Sequence, residues 1–104
     1  MGSPTVADFE IRSERENSSG WLFEVRVIGD EGGGLRRVIL QLAWADYNLW
    51  SVDGADRPAA VAEAALCYLI SKVGADALPD RFDASILRRK FPDADREIPK
   101  LIRR

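Results

Sequence analysis

The sequence predicts an α+β domain, an antiparallel β-meander of three strands, or four, followed by a main amphipathic helix and two short C-terminal helices packed on one face of the sheet. Three observations predict it. Apolar residues alternate with polar ones along much of the first half of the chain, the mark of half-buried strands. After Pro58 the apolar spacing changes to i, i+3, i+4, the mark of a helix lying on a sheet. The breaks between the alternating segments are short and polar or Gly-rich, so consecutive strands should pair antiparallel.

The first strand is expected from Thr5 to Arg12, with Ala7, Phe9 and Ile11 on one face and Asp8, Glu10 and Arg12 on the other. A polar loop, SERENSSG, follows. The run WLFEVRVI gives a second strand with Trp21, Phe23, Val25 and Val27 inward, while Leu22 and Ile28 lie on the outward face. GDEGGG breaks the chain as a hairpin loop, and Leu35 to Trp44 forms a third strand with Val38, Leu40, Leu42 and Trp44 on one side.

ADYNLWSVDGAD suits a helical turn or a fourth short strand, and the turn is the better reading. Pro58 is well placed as a first helical residue, so the main helix should run from about Pro58 to Val73 and stop at Gly74. Ala62, Ala65, Leu66, Leu69, Ile70 and Val73 form its apolar stripe, with Glu63, Cys67 and Ser71 elsewhere. Asp83 reads as the N-cap of a second helix that ends near Phe91 before Pro92, with Phe82 stapled to Leu87. Asp93 or Asp95 opens a last helix, in which Pro99 is tolerable only within the first turn.

A chain of 104 residues has room for one domain, and 46% hydrophobic with 31% charged residues is a globular composition. Met1 to Pro4 are expected to be disordered or a cloning remnant. The longest apolar run, Ala64 to Ile70, is far too short to span a membrane, and the opening residues lack a secretory signal. A cytoplasmic location is the resulting expectation, and the glycosylation sequon at Asn17 is then coincidental. The lone cysteine excludes an internal disulfide, and the net charge of −2 gives no global pull toward nucleic acid.

The sequence argues against an enzyme. It contains no histidine, which removes the commonest general base and metal ligand. Cys67 sits in an apolar helix beside Glu63, a poor setting for a reactive thiolate. GDEGGG lacks the Lys and Ser/Thr of a phosphate loop, and the Asp93, Asp95, Glu97 alternation lacks the Gly and bidentate Glu of a calcium loop. No catalytic residue, cofactor or metal site is expected.

A protein-binding or regulatory module is the reading that remains. Trp21 and Trp44 belong to apolar strand faces and so to the core, whereas Tyr47 and Trp50, placed between elements, are candidates for a contact surface. A sheet covered on one face leaves Leu22, Ile28 and Ile39 bare, which predicts a homodimer. The last 19 residues, from Ile86, carry seven basic and three acidic residues, against eight and fourteen in the rest of the chain. Arg88, Arg89, Arg103 and Arg104 therefore offer an alternative, nucleic-acid binding. The same stretch holds Ile86, Leu87, Phe91, Ile98, Leu101 and Ile102, so it should act first as an apolar clasp, with Arg88 and Arg89 facing away from it.

The segments DYNLW, RPAAVAEAALCYLI and FDASILRRKFPDADREI, in that order after a strand pair, resemble a group of small uncharacterised bacterial α+β proteins with an F-D-x-x-x-I-x-x-x-F-P-like C-terminal motif. The likeness runs from about Trp21 to Ile98 and rests on Phe82, Asp83, Phe91 and Pro92, with Leu87 at the place of the Ile. It implies a fold and no activity. In element order the chain is also similar to antitoxins of the HicB type, though it lacks their Phe-Pro-x-x-Pro-Gly segment between strand and helix.

Overall fold

The computed structural model describes residues 9–28 and 35–103. The expectations for Met1 to Asp8, for the Gly-rich loop at 29–34 and for Arg104 lie outside the described residues. The rest is an α+β fold: a four-stranded mixed sheet in the order β1-β2-β3-β4, with helices against one face.

Strands β1 (Phe9–Asn17), β2 (Gly20–Ile28) and β3 (Leu35–Ala43) form the predicted antiparallel meander. β1 runs five residues past its expected end, through most of what reads as a loop. Its register with β2 shifts between Ile11 and Ser13, a bulge that resets the alternation, and the residues beyond it are polar because no helix covers them. Ladder hydrogen bonds hold such a segment whatever its side chains. Asn17 closes the turn by accepting from the Ser19 and Gly20 amides at 2.9 and 3.0 Å. Gly20 is required there, since a Cβ would stand 2.1 Å from the Leu42 carbonyl oxygen.

The fourth strand is not the segment after β3 but β4 (Arg81–Asp83), and it pairs parallel with β3. Arg36 secures the chain leading to it, donating to the Ala75 and Leu78 carbonyls at 3.2 and 2.6 Å and pairing with Asp80 at 2.8 Å. No apolar periodicity can announce a three-residue strand.

The segment after β3 is helix α1 (Trp44–Trp50), the helical alternative. Helix α2 (Pro58–Val73) has the predicted bounds, and the Gly74 amide, at φ 87°, closes it on the Ile70 carbonyl. A 3-10 turn at Ala75–Ala77 leads to β4, then come α3 (Ser85–Lys90) and α4 (Ala94–Leu101). The N-cap of α3 is Ala84 and not Asp83, because Asp83 is held as the last residue of β4; its carboxylate accepts the Ser85 amide at 2.9 Å. Pro99 falls beyond the first turn of α4, contrary to expectation, and the helix ends two residues later.

The core lies between the sheet and α2. Phe23, Val25, Val27, Val38, Leu40 and Leu42 are fully buried on the inner face, opposite Val61, Ala62, Ala65 and Leu66. α2 is buried beyond its predicted stripe, at Ala60, Ala64 and Tyr68 as well, because α4 packs on it in addition to the sheet. Val73, assigned to that stripe, is 42% exposed at the helix end.

Candidate partner-binding surfaces

Of the candidate surface residues, Trp50 and Arg88 are engaged within the fold. Trp50 is wholly buried rather than displayed, because α1 turns it into the core, where its Nε1–H donates to Asp95 Oδ1 at 2.9 Å. Trp44, expected inside, opens α1 and is 42% exposed, since the strand ends one residue earlier and the alternation no longer governs it. Tyr47 is half-buried, tilted against Trp21 at 5.1 Å, and its hydroxyl donates to the Gly54 and Asp56 carbonyls. It latches the loop before α2.

Arg88 is likewise a structural group. Its Nη1 reaches Asp46 Oδ1 at 3.3 Å and its Nε reaches Asp95 Oδ1 at 3.2 Å, so one guanidinium ties α3 to α1 and α4. Arg89 is exposed on α3. Arg103 shares a depression with Asp53, Asp56 and Arg57, a neighbourhood that offsets its charge. Sequence reasoning missed the Arg88 clasp because Asp46 and Asp95, its partners, lie 42 and 7 positions away and share no motif with it.

Replacing Arg88 by Ser should cost about 2 kcal/mol, below the range for a fully buried pair because Arg88 is half-exposed, whereas Arg89→Ser should stay within about 0.5 kcal/mol. Urea melts of the two variants check this; equal midpoints would make Arg88 a free surface group.

Asp46 is 2% exposed, and its Oδ2 has no hydrogen-bond partner among the described residues. Burial raises its pKa above 3.8 despite Arg88. Asp93 behaves oppositely. The Tyr68 hydroxyl donates to it and Lys72 lies 3.7 Å away, so its pKa falls below 3.8, while burial and that bond push Tyr68 up to about 12. Lys72 also lies over the Tyr68 and Phe91 rings, completing a tie between α2 and the approach to α4.

These shifts have opposite consequences. The Asp46 contribution is present below pH 3.8 and lost as pH rises through its folded value, whereas the Asp93 contribution is present above pH 3.8 and lost as pH falls through its folded value. Between about pH 2 and pH 7, Asp46→Asn should therefore gain on the parent protein as pH rises and Asp93→Asn should lose ground. Chemical denaturation across that range measures both, and slopes of the same sign would refute the assignment.

Elsewhere the described residues offer little chemistry. They hold no group of three or more Cys, Asp or Glu placed to bind a metal ion, and none of their helices is long and apolar enough to cross a membrane. Burial raises the pKa of the half-buried Cys67 thiol, which lowers its thiolate fraction.

Among the described residues, the outer face of the sheet has no helix packed on it. Strand register brings Leu22, Glu24, Arg26 and Ile28 of β2 beside Leu35, Arg37, Ile39 and Gln41 of β3, with Arg81 and Asp83 of β4 on one flank and Arg15 of β1 on the other. Ile28 and Leu35, directly opposite each other, are 42% and 60% exposed. A depression of about 350 Å³ opens between Leu22, Ile39, Gln41, Arg81, Phe82 and Asp83, and a second is lined in part by Arg12, Glu24, Arg26, Leu35 and Arg37. The sequence pointed to Leu22, Ile28 and Ile39 on this face; its arginines do not read as one group in the sequence because they are scattered over four strands.

No family model, no curated protein and no solved structure matches this chain.

Proposed function

We propose that this protein is a small cytoplasmic protein-binding or regulatory module whose working surface is the outer face of the sheet. The observation that carries the reading is the composition of that face: the exposed Ile28 and Leu35 and the half-buried Leu22 and Ile39 lie among exposed arginines, while the helices occupy the opposite face. Rigid strands fix the spacing of these groups, as a recognition surface needs. Nucleic-acid binding through the C-terminal arginines is the weaker reading, because Arg88 is engaged within the fold and Arg103 sits among carboxylates. Site-specific photo-crosslinking in cells tests the proposal. A photoreactive residue at Leu22 or Ile39 should capture a discrete protein, and one at Asn48, on α1, should not. Capture confined to Asn48 would place the working surface on the helices.

A further inference from the structure

The charges on this face define what it would bind. Five arginines lie on it, Arg12, Arg15, Arg26, Arg37 and Arg81, against three carboxylates, Glu10, Glu24 and Asp83. Each carboxylate already has a partner: Glu10 pairs with Arg12 at 3.2 Å, Glu24 with Arg37 at 3.1 Å, and Asp83 accepts the Ser85 amide. Arg15, Arg26 and Arg81 are left with no carboxylate within 4.0 Å among the described residues. In the register Arg26 stands between Glu10 of β1 and Arg37 of β3, and since Glu10 pairs with Arg12 and Arg37 with Glu24, Arg26 faces a like charge on one side and an already engaged carboxylate on the other.

We infer that the outer sheet face binds an acidic protein segment carrying aliphatic residues, its carboxylates meeting Arg15, Arg26 and Arg81 and an aliphatic side chain entering the depression between Leu22 and Ile39. This rests on the reading of that face as the working surface and adds the chemistry of the partner. Guanidinium groups suit carboxylates through paired, planar hydrogen bonds. Arg81 lines the depression level with Ile39, Arg15 is level with Leu22 on the neighbouring strand, and Arg26 lies four residues along β2 from Leu22, about 13 Å away, within the span of an extended segment. A nucleic acid would use the arginines but not Leu22 or Ile39, and the outward positions of the described strands carry no aromatic residue on which bases could stack. A second copy of the chain would set a net positive face against itself.

The test titrates the full chain with 12-residue peptides, reading amide shifts by NMR and affinity by fluorescence anisotropy. A peptide of Glu and Asp around central Leu and Ile should shift the amides of Leu22, Arg26, Ile39 and Arg81. Its affinity should fall at least tenfold when the carboxylates are replaced by amides, when Leu and Ile are replaced by Ser, or when the protein carries Arg26→Glu with Arg81→Glu. The double variant should keep its denaturation midpoint, since both arginines are exposed. Equal binding of the amide peptide at the same residues would overturn the acidic partner and leave the face standing. Shifts confined to the helices, or none, would overturn both. Tighter binding of a 12-nucleotide single strand or duplex would make the partner a nucleic acid, and concentration-dependent shifts without any peptide would make it a second copy.

Discussion

Trp50→Ala should cost about 3 to 5 kcal/mol, the range for deleting a fully buried large aromatic side chain, because the space left by the indole cannot be refilled by its neighbours. A domain of this size has on the order of 5 to 15 kcal/mol in total, so the variant should be marginal or unfolded at body temperature. Two losses combine. The apolar contacts of the ring with the core disappear, and Asp95, which accepts the indole N–H at 2.9 Å, is left to Arg88 alone. Trp50→Phe separates them, retaining much of the packing and giving up the hydrogen bond, for about 1 to 2 kcal/mol. Trp44→Ala is the control: at 42% exposure it should cost about 1 kcal/mol or less. Urea melts of the three variants decide the matter, and equal costs for Trp44→Ala and Trp50→Ala would mean that α1 does not turn Trp50 inward.

That pair of tryptophans shows where the sequence was legible and where it was not. Alternation reports which face of a strand is buried, so it located Phe23, Val25, Val27, Val38, Leu40 and Leu42 correctly. It continues to count after the strand has ended, and Trp44 was assigned inward for that reason. Trp50 sits seven residues beyond Ala43, in a helix of only two turns, where too few residues repeat to define an apolar face. Helix α2 was legible end to end because Pro58 and Gly74 punctuate it chemically. β4 was not, since its place in the sheet is decided by Arg36 and by backbone bonds to Ile39 and Gln41 some 40 residues away.

The charged groups divide in the same way. A run of arginines near the C-terminus is conspicuous in the sequence, yet Arg88 is paired with Asp46 and Asp95, and Arg103 shares a depression with Asp53, Asp56 and Arg57. Arg15, Arg26 and Arg81 are 11 and 55 positions apart and form no visible cluster until strand pairing brings them onto one face. Linear charge density therefore draws attention to the C-terminal end, whereas strand pairing gathers arginines that are far apart in the sequence. A cross-strand reading of β2 and β3 would have exposed the Arg26 and Arg37 opposition, had the register been known.

Removing residues 98–104 should cost about 5 kcal/mol and leave the chain largely unfolded, because the segment holds Ile98, 0% exposed, and Ile102, 6% exposed, each worth about 2 to 5 kcal/mol on truncation. The two lie on and just beyond α4, the helix that covers the side of α2 turned away from the sheet. Without them Ala64, Tyr68 and the rest of that side would face water, and α2 would be apolar on a surface with nothing against it. Ile98→Ala isolates one side chain at about 3 kcal/mol and keeps the rest of α4, which guards against attributing the loss to helix fraying. Leu101→Ala, at 44% exposure, should cost far less. If the C-terminal stretch were instead a grip for an acidic partner, the truncated protein would melt like the parent and lose only binding. A melt unchanged by the truncation would transfer the working surface to this end, and with it the role here given to Arg15, Arg26 and Arg81; an early, low-cooperativity melt that Ile98→Ala reproduces in part would establish the stretch as the clasp that holds α2 on the sheet.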